Sequence, residues 1–402
     1  MGDPFNPNDP TFLQNPYPTY DRLRRDSPIF FDDESGLYFC SRYEDVDFML
    51  RDRRLGRAID PAILPKEKVP APPAPELLPF TRLSANSMFD MEPPDHTRLK
   101  MLVHKVFTPR RAFLLHDEIQ TITNSLLDQI QAGSEVDLIE AFATPLPVQV
   151  IAELLGVPQS DRHQLRPWSQ AIVAMYELDH TEEEAEQAVQ AAESFSTYLR
   201  DLARKRYLSP QNDLISELAF VRESGDKLSE DELIATCVLL LNAGHEATVN
   251  VIGNGLLALY NHPDQWQRLL HNPDLIVTAV EEMMRFDTPL QLFQRWVLAP
   301  FEYKGLRLEP GMRLGLMFGA ANRDPAVFPN PHQFDIGRSP NPHLAFGAGI
   351  HFCLGAPLAR LELQIAFATL LRRFPNLEVA KPRPKFRSKY VIRGLESLIV
   401  KL

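Results

Sequence analysis

The longest uninterrupted hydrophobic pattern in the chain predicts a buried helix over residues 229–260. Ser229 and Glu232 stand three residues apart at its start, which is the spacing of a capping box. The residues that follow are apolar on almost every side, as is typical of a helix in the centre of a protein rather than at its surface. Pro263 marks the end of the pattern.

A second helical pattern begins just after Cys353 and continues to about residue 372. Pro357 falls in its first turn, where proline is tolerated. Shorter strand-like pieces lie near residues 29–41 and 302–318. Helical patterns dominate the middle and the end of the chain.

A proline-rich stretch separates these patterns from the N-terminal part of the chain. Because proline lacks a backbone N–H and breaks helix interiors, the stretch predicts an irregular loop over residues 61–79. One interpretation is a linker between domains. Its apolar side chains favour instead a loop packed over something, and we predict a substrate lid over residues 61–90. The prolines are Pro61, Pro65, Pro70, Pro72, Pro73, Pro75 and Pro79, and the apolar residues include Ile63, Leu64, Val69, Leu77, Leu78 and Phe80.

Charge and composition narrow the classes of function. The 402 residues carry 42 basic and 53 acidic side chains, a formal net charge of −11. Nucleic acid and anionic membranes both attract basic surfaces, so this balance argues against either as the main partner. The first twenty residues lack the basic start and apolar run of a signal peptide, and no uncharged apolar stretch reaches membrane-spanning length. Three scattered cysteines do not suggest a disulfide framework, and we expect a cytoplasmic protein.

Cys353 differs from Cys40 and Cys237 in its setting. Glycines on both sides allow the backbone to turn tightly and to approach a flat ligand closely. The predicted helix that follows offers free N–H groups and a dipole that favour a thiolate. Such a sulfur can bind a soft metal or haem iron, whereas a zinc site needs further cysteines or histidines that are not nearby. A glycine-rich turn with an incidental thiol, and a nucleophilic cysteine with His351 as its base, are the alternatives.

The spacing Phe-x-x-Gly-x-x-x-Cys-x-Gly resembles the haem-binding signature of the cytochrome P-450 family at Phe346, Gly349, Cys353 and Gly355. The resemblance continues through Arg360, as in bacterial members, and covers the chain from about residue 17 to its end. It implies that Cys353 is the proximal ligand of the haem iron, in a loop whose other signature residues lie against the cofactor. His351 stands where bacterial members place a partner of a haem propionate.

Further segments resemble the same family in the same order along the chain. Glu282 and Arg285 form the pattern Glu-x-x-Arg, and residues at this spacing share one face of a helix. Alone, such pairs usually lie on solvated surfaces, but in this family the pair is a buried structural network beneath the haem. Arg295 occupies the position of the family's propionate-binding arginine. Segments 320–325 and 328–335 also resemble family sequences.

Residues 92–100 resemble the family's third helix. His96 and Lys100 lie one helical turn apart, so both can face one carboxylate, and the resemblance implies that they bind the cofactor. Relatives usually have arginine at the second position, and lysine keeps the charge without the bidentate geometry. Without the Cys353 motif, a solvated basic turn would be the better interpretation.

Small and polar residues interrupt the apolar pattern in the middle of the long helix. They cost stability there, so either close helix packing or a function must account for them. The family pattern at this point is Ala/Gly-Gly-x-Asp/Glu-Thr: Ala243 and Gly244 leave room for dioxygen, and the acid and alcohol deliver protons. Glu246 matches the acid, but Ala247 holds the alcohol position, and Thr248 points about 100° away from it. We hypothesise that a substrate hydroxyl, or a water held by Glu246 and Thr248, completes the proton relay.

The resemblance implies one P-450 domain over residues 1–402, mainly α with a small β-rich lobe, not the two or three domains that length alone suggests. Haem b would lie between the long helix and the cysteine loop with its following helix, residues 346–372. The implied activity is a haem-thiolate monooxygenase that inserts one atom of O2 into a small apolar organic substrate by hydroxylation or epoxidation. Electrons would come from an NAD(P)H-dependent reductase through a separate ferredoxin or flavodoxin, and we expect a monomer. Candidate pocket walls are Leu83, Met88, Leu239, Ala243, Ala247, Leu290, Leu292 and Phe293.

Several alternatives stay open at this point. Arg110, Arg111, Arg360, Arg372 and Arg373 form either a basic docking patch or a solvated helix surface. A haem-thiolate enzyme could use peroxide or catalyse isomerisation or coupling, although peroxide-specialised relatives often carry an arginine where this chain has Glu246 and Ala247. A haem sensor or carrier without turnover, and a cysteine-nucleophile hydrolase without haem, belong to other classes. No local pattern identifies the substrate.

Overall fold

The structure is a computed structural model that describes residues 5–64, 74–131, 133–222, 225–381 and 383–402. Within these ranges the chain forms sixteen α-helices and ten short strands, which confirms the predicted mainly α fold. The helices are α1 (Pro10–Gln14), α2 (Tyr17–Asp26), α3 (Tyr43–Arg51), α4 (Leu78–Ala85), α5 (Asp95–Val106), α6 (Pro109–Leu114), α7 (His116–Asp128), α8 (Pro145–Leu155), α9 (Leu165–Ala174), α10 (Glu182–Leu208), α11 (Leu214–Phe220), α12 (Glu230–Asn261), α13 (Pro263–His271), α14 (Ile276–Phe286), α15 (Phe318–Ala321) and α16 (Ala356–Arg373). The strands are β1 (Ile29–Asp32), β2 (Leu37–Cys40), β3 (Leu55–Gly56), β4 (Glu135–Asp137), β5 (Leu292–Val297), β6 (Phe301–Tyr303), β7 (Leu306–Leu308), β8 (Arg313–Met317), β9 (Glu378–Val379) and β10 (Ile399–Lys401).

Helix α12 is the longest element and lies in the main hydrophobic core. The predicted capping box is present at its start: the Glu232 amide donates to Ser229 Oγ at 3.1 Å, and the Ser229 amide donates to Glu232 Oε2 at 2.8 Å. Helices α8, α9, α10, α14 and α16 contact it, which explains an apolar pattern on almost every side. Neither α12 nor any other helix in the described ranges is long and apolar enough to cross a membrane.

Three small sheets form the β part of the molecule. The largest has the strand order β1-β2-β8-β5-β3, in which β2 and β8 run parallel and the other neighbours antiparallel. Gly315 of β8 lies opposite Phe39 of β2, and a Cβ atom there would come within 2.8 Å of the Phe39 ring. The other two sheets have the orders β4-β10-β9 and β6-β7. The two predicted strand regions contain β1, β2 and β6 to β8, whereas β5 and the C-terminal strands carried no pattern that predicted them.

The predicted lid region, residues 61–90, contains more regular structure than a loop. It holds short 3₁₀ turns at Pro61–Ile63, Pro75–Leu77 and Met88–Asp90, and the helix α4. The prediction of an irregular loop up to residue 79 was wrong at its end, because Pro79 falls in the first turn of α4, where its missing N–H has no partner to lose. No side chain of α4 is buried, and the helix contacts α10 and α12. Pro65, Val69, Pro70, Pro72 and Pro73 lie outside the described residues.

Candidate active site

The cysteine loop passes twice through backbone conformations that favour glycine. Gly347 and Gly349 have φ angles of +67° and +70°. At Gly349 a Cβ atom would lie 2.3 Å from the carbonyl oxygen of Leu50, whereas at Gly347 it would meet no described atom within 4 Å. The Cys353 amide donates to the carbonyl of Phe346 at 3.0 Å and closes the loop. The loop can therefore fold back tightly and present Cys353 just before the N-terminus of α16.

Two backbone N–H groups converge on the sulfur of Cys353. Burial raises the pKa of this thiol, and the hydrogen bonds from the amides of Gly355 and Ala356 lower it in part. Cys353 is half-buried, and a sulfur with amide donors is suited to bind a metal as thiolate. Over the described ranges, no group of three His, Cys, Asp or Glu side chains could hold a metal ion. The donor set therefore fits a single thiolate ligand to the iron of a cofactor and does not fit a protein zinc site.

Arg360 connects the cysteine loop to α14. Its guanidinium donates to the Glu281 carboxylate at 2.7 and 2.9 Å and lies 4.5 Å from the centre of the Phe346 ring. His343 Nε2 lies 3.1 Å from the same carboxylate. Burial raises the pKa of Glu281, but the hydrogen bonds with His343 and Arg360 outweigh it and lower the pKa to about 2. Glu281 therefore stays charged and helps to hold the loop.

Glu282 and Arg285 form an ion pair in which both side chains are fully buried. Two N–H···O contacts of 2.7 Å join them, and Arg285 also donates to backbone carbonyls in the segment 322–333. Arg338 and Asn341 donate to the Glu282 carboxylate at 3.1 and 3.2 Å. The pair predicted from the sequence is thus the centre of a larger network that fixes the segment leading to the cysteine loop.

Arg295 is a buried cation that forms no ion pair with any described carboxylate. It is 3% exposed, donates to the carbonyl of Gln294 at 3.1 Å and lies 4.5 Å from the centre of the Phe293 ring. Burial and, to a smaller extent, the nearby Arg57 lower its pKa to about 9. A buried guanidinium without an ion-pair partner is costly unless it meets an anion. This arrangement fits a haem propionate.

His96 and His351 lie together, with ring centres 4.4 Å apart. His96 is 3% exposed and its Nδ1 has no hydrogen-bond partner among the described residues. Burial, His351 and Lys100 lower the pKa of His96 to about 4, so this ring is neutral near pH 7. His351 Nε2 lies 3.2 Å from the carboxylate of Glu92. Lys100 donates to the carbonyls of Ile350 and Phe352, so in this structure it helps to hold the cysteine loop.

One side of α12 is accessible to solvent along a strip formed by Leu239, Ala243 and Ala247, which we call the open strip. Ala243 and Ala247 are exposed although most of the helix around them is buried, and Leu239, one turn earlier, is half-buried. These residues follow each other at intervals of four and share one side of the helix. Gly244 lies elsewhere: a Cβ atom there would approach Ile151 of α8 to 3.0 Å, so close packing with α8 accounts for this glycine.

Glu246 is buried beside this strip and is bonded to an arginine that the sequence did not identify. Arg387, from the C-terminal part of the chain, donates to Glu246 Oε1, and Asn250 Nδ2 lies 3.4 Å from the same oxygen. His245 Nδ1 lies 3.9 Å from Glu246 Oε2. Thr248 is 3% exposed and does not lie on the open strip. Glu246 therefore has connections toward the surface through Arg387, whose side chain is 31% exposed.

The structure brings together some of the predicted pocket residues and separates others. Phe293 lies on the same side of β5 as Arg295, and Leu290 forms a bridge with Ile392. Leu292 points to the opposite side of β5, because strand side chains alternate, and packs in the N-terminal aromatic core, so its placement in the pocket is corrected. Met88 is buried in the main core, and Leu83 is half-buried against it.

Glu281, Arg338, Arg387 and Arg57 were missed by reasoning from the sequence alone. Glu281 directly precedes Glu282 and offered a weak signal, because two adjacent acids on an apolar helix need partners. A buried acid in α12 likewise predicts a cationic partner, but nothing in the local sequence indicates Arg387. Arg57 and Arg338 lie in segments without a helix or strand pattern.

Known proteins resemble this chain over nearly its whole length. A family model described as Cytochrome P450 matches residues 110–393. The polyketide biosynthesis cytochrome P450 PksS of Bacillus subtilis (strain 168) is 40% identical over 407 residues, which cover 99% of this chain and 98% of PksS. The vitamin D(3) 25-hydroxylase of Pseudonocardia autotrophica is 39% identical over 399 residues, covering 97% of this chain and 94% of that protein.

A solved structure is similar to this chain in fold as well as in sequence. P450BioI, in complex with an acyl carrier protein ligated to hexadec-9Z-enoic acid, is 39% identical to this chain. The superposition has a TM-score of 0.90 and covers 98% of this chain and 99% of that one. The fold described above is therefore that of P450BioI.

Proposed function

This chain belongs to the cytochrome P450 family, and from that premise we propose that it inserts one oxygen atom of O2 into a small, mostly apolar organic substrate. It is a cytochrome P450 monooxygenase, and its cofactor is haem b. We propose hydroxylation or epoxidation as the reaction. The observation that carries the proposal concerns Cys353. Its sulfur accepts hydrogen bonds from two backbone N–H groups at the N-terminus of α16.

We propose that Cys353 binds the haem iron, and that Arg295, His96 and His351 bind the propionates. The buried guanidinium of Arg295 without a carboxylate partner and the unpartnered Nδ1 of His96 support this assignment. Lys100 supports the cysteine loop through its two carbonyl contacts. Bound haem supplies the iron at which O2 is activated.

We propose that Glu246 handles the protons that the reaction consumes. Its carboxylate lies beside Ala247 on the open strip and is linked to Arg387 and Asn250. Ala247 offers no hydroxyl, and Thr248 faces another side of the helix. A water, or a hydroxyl of the substrate, therefore takes the place of the missing side-chain alcohol.

The variant Ala247→Thr tests this proton route. A hydroxyl on the open strip competes with the water or the substrate hydroxyl, so we expect the fraction of NAD(P)H electrons that appears in product to change severalfold. Product and peroxide are measured together during NAD(P)H consumption. Unchanged coupling for every accepted substrate would contradict the proposal.

We propose that a ferredoxin or flavodoxin with its NAD(P)H-dependent reductase delivers the electrons. Exposed apolar side chains on α5, α6 and the cysteine loop support a docking face on this side of the molecule: Met101, Phe113, Leu114 and Phe352. Arg110 and Arg372 are exposed. Arg111, Arg360 and Arg373 are ion-paired with Glu217, Glu281 and Asp128, so they contribute less free charge than the sequence suggested.

The reduced protein with carbon monoxide tests the iron ligand. We expect the red-shifted Soret band of a thiolate-bound haem, and we expect Cys353→Ser to lose both this band and NAD(P)H-dependent oxidation with a surrogate ferredoxin pair. Cys237→Ala, at a buried thiol in the main core, is the control that should keep the band. Normal spectra without any oxidation would favour a sensor or carrier instead. Substrates to screen include fatty acids, both free and as acyl-carrier-protein thioesters, terpenes, steroids and macrolides.

A further inference from the structure

A buried amide lies next to the open strip of α12 and takes no part in the proposed chemistry. Asn242 directly precedes Ala243 and is 2% exposed. Neither its Nδ2 nor its Oδ1 has a hydrogen-bond partner in the part of the chain that the structure describes. Buried amides are almost always hydrogen-bonded, because leaving them unpaired costs stability. Asn242 therefore calls for a partner that is not part of the fold.

The phenol of Tyr176 lies beside this amide. Tyr176 is half-buried in the turn that follows α9. Burial raises its pKa to about 12, and the adjacent Asn242 side chain acts weakly in the opposite direction, although no hydrogen bond of ordinary geometry joins the two side chains. The phenol is therefore neutral at pH 7 and can both donate and accept a hydrogen bond.

Aromatic rings connect this polar pair to the haem side of the site. Phe89 lies 5.6 Å from Tyr176 and 5.7 Å from Phe293, measured between ring centres. Phe293 in turn lies 4.5 Å from the guanidinium of Arg295. Four segments thus converge here: the lid region, the turn after α9, the helix α12 and the strand β5. Asn242 and Tyr176 form a polar site within a wall of aromatic side chains.

The charges near this wall compensate each other. Arg57 pairs with Asp90 at 3.1 Å, and its guanidinium lies 4.4 Å from the centre of the Phe89 ring. An anionic substrate group would lie close to the Asp90 carboxylate, and a cationic group close to Arg57. The surroundings therefore favour a neutral polar group.

We propose that Asn242 and Tyr176 bind an alcohol group of the substrate, at the end of the molecule that is not oxidised. The Asn242 amide offers one donor and one acceptor, and an alcohol satisfies both, whereas a hydrocarbon satisfies neither. Asn242 lies four residues before Glu246, about 6 Å along the helix axis. This inference rests on the proposed function, and it makes Asn242 and Tyr176 determinants of specificity.

Spectral titration of the holoenzyme with matched pairs of ligands tests this inference. The probes are dodecan-1-ol with dodecane, and cyclododecanol with cyclododecane, and the quantity compared is the ratio of hydrocarbon Kd to alcohol Kd. We expect Asn242→Leu, which keeps the branched shape and the number of heavy atoms of the side chain, to lower this ratio about fivefold or more with little change in hydrocarbon affinity. Tyr176→Phe should lower it less. Tyr207→Phe, at an exposed tyrosine of α10, should leave it unchanged.

Two further measurements separate binding from structure. Because the Asn242 amide forms no hydrogen bond of ordinary geometry within the described ranges, the ligand-free melting temperature of Asn242→Leu should not fall. Three outcomes would overturn the inference. The first is a melting temperature that falls by several degrees while the Kd ratio stays unchanged. The others are an equal loss of affinity for alcohol and hydrocarbon, and no spectral response to either alcohol. A wild-type protein without the thiolate carbonyl band would instead overturn the proposed function.

Discussion

The buried acid Glu282, in the network that leads to the cysteine loop, is bonded on all sides, whereas beside the open strip of α12 two buried polar side chains have no hydrogen-bond partner among the described residues. Glu282 accepts hydrogen bonds from Arg285, Arg338 and Asn341. In contrast, neither ring nitrogen of His245 has a hydrogen-bond partner in the described ranges, and the same is true of the Asn242 amide. Satisfied networks make a structure rigid, while unsatisfied buried groups lower stability and persist where function needs them. Under the proposed function, the first region supports the metal ligand, and the second receives the substrate.

The largest effect should come from breaking the buried ion pair. Glu282→Ala leaves the fully buried Arg285 without its carboxylate, and we expect a loss of about 3–5 kcal/mol in the free energy of unfolding. Urea unfolding followed by circular dichroism measures this loss. Arg268→Ala removes an exposed pair with Asp335 at 2.8 Å and should cost less than about 1 kcal/mol. Equal losses would show that burial does not distinguish the two pairs.

The two glycines of the cysteine loop offer a matched comparison. Their φ angles are nearly equal, but only at Gly349 would a Cβ atom meet the Leu50 carbonyl. We expect Gly347→Ala to cost about 1–2 kcal/mol from backbone strain alone, and Gly349→Ala about 3 kcal/mol. Urea unfolding measures the loss of stability, and gel filtration measures how much haem each variant retains. If both variants behave alike, the close approach to Leu50 does not set the shape of the loop.

On the α12 side we expect a large effect on turnover and a small one on stability. Glu246→Gln keeps the shape of the side chain but removes its proton-transfer capacity, so product formation should fall about 100-fold. Arg387 is partly exposed and can turn to solvent, so the melting temperature should change little. Glu230→Gln, at an exposed acid in the first turn of α12, is the control. A variant that loses stability and keeps its turnover would reverse the comparison.

The smallest expected effect concerns Glu281, next to the cysteine loop. Its contribution to the free energy of unfolding should be lost at low pH. The folded-state pKa of Glu281 is about 2, below its ordinary value of 4.5. Its charged form therefore stabilises the fold fully above pH 4.5, and this contribution, about 2 kcal/mol, is lost as the pH falls from 4.5 toward 2. Unfolding free energies of wild type and Glu281→Gln should converge over this range. A constant difference between them at all pH values would contradict the assignment.

Local signals in the sequence predicted several features well. The capping box and the apolar run placed α12 to within a residue or two at each end, because a helix start depends on neighbouring side chains. The spacing of Glu282 and Arg285 predicted their pairing, since residues three apart share a helix face. The glycine pattern around Cys353 indicated a tight turn, and two of these glycines do have positive φ angles.

Structural features that depend on packing were not predicted or were predicted wrongly. Leu292 was expected in the pocket, but strand alternation turns it away from Phe293. The contacts of Lys100 with two carbonyls of the cysteine loop were not predicted. Position along the chain identifies a candidate residue, and the side to which it points depends on the neighbouring elements.

The sequence by itself determined the family, the long central helix and the cysteine that can hold iron, because these depend on residues close together in the chain. Only the tertiary structure decided the partners of the acids, since Glu246 meets an arginine 141 residues away and Glu281 meets one 79 residues away. It also decided that Asn242 stays without a partner. A hydrogen bond requires two groups to meet in space, and only the packing of the whole chain determines which distant groups meet.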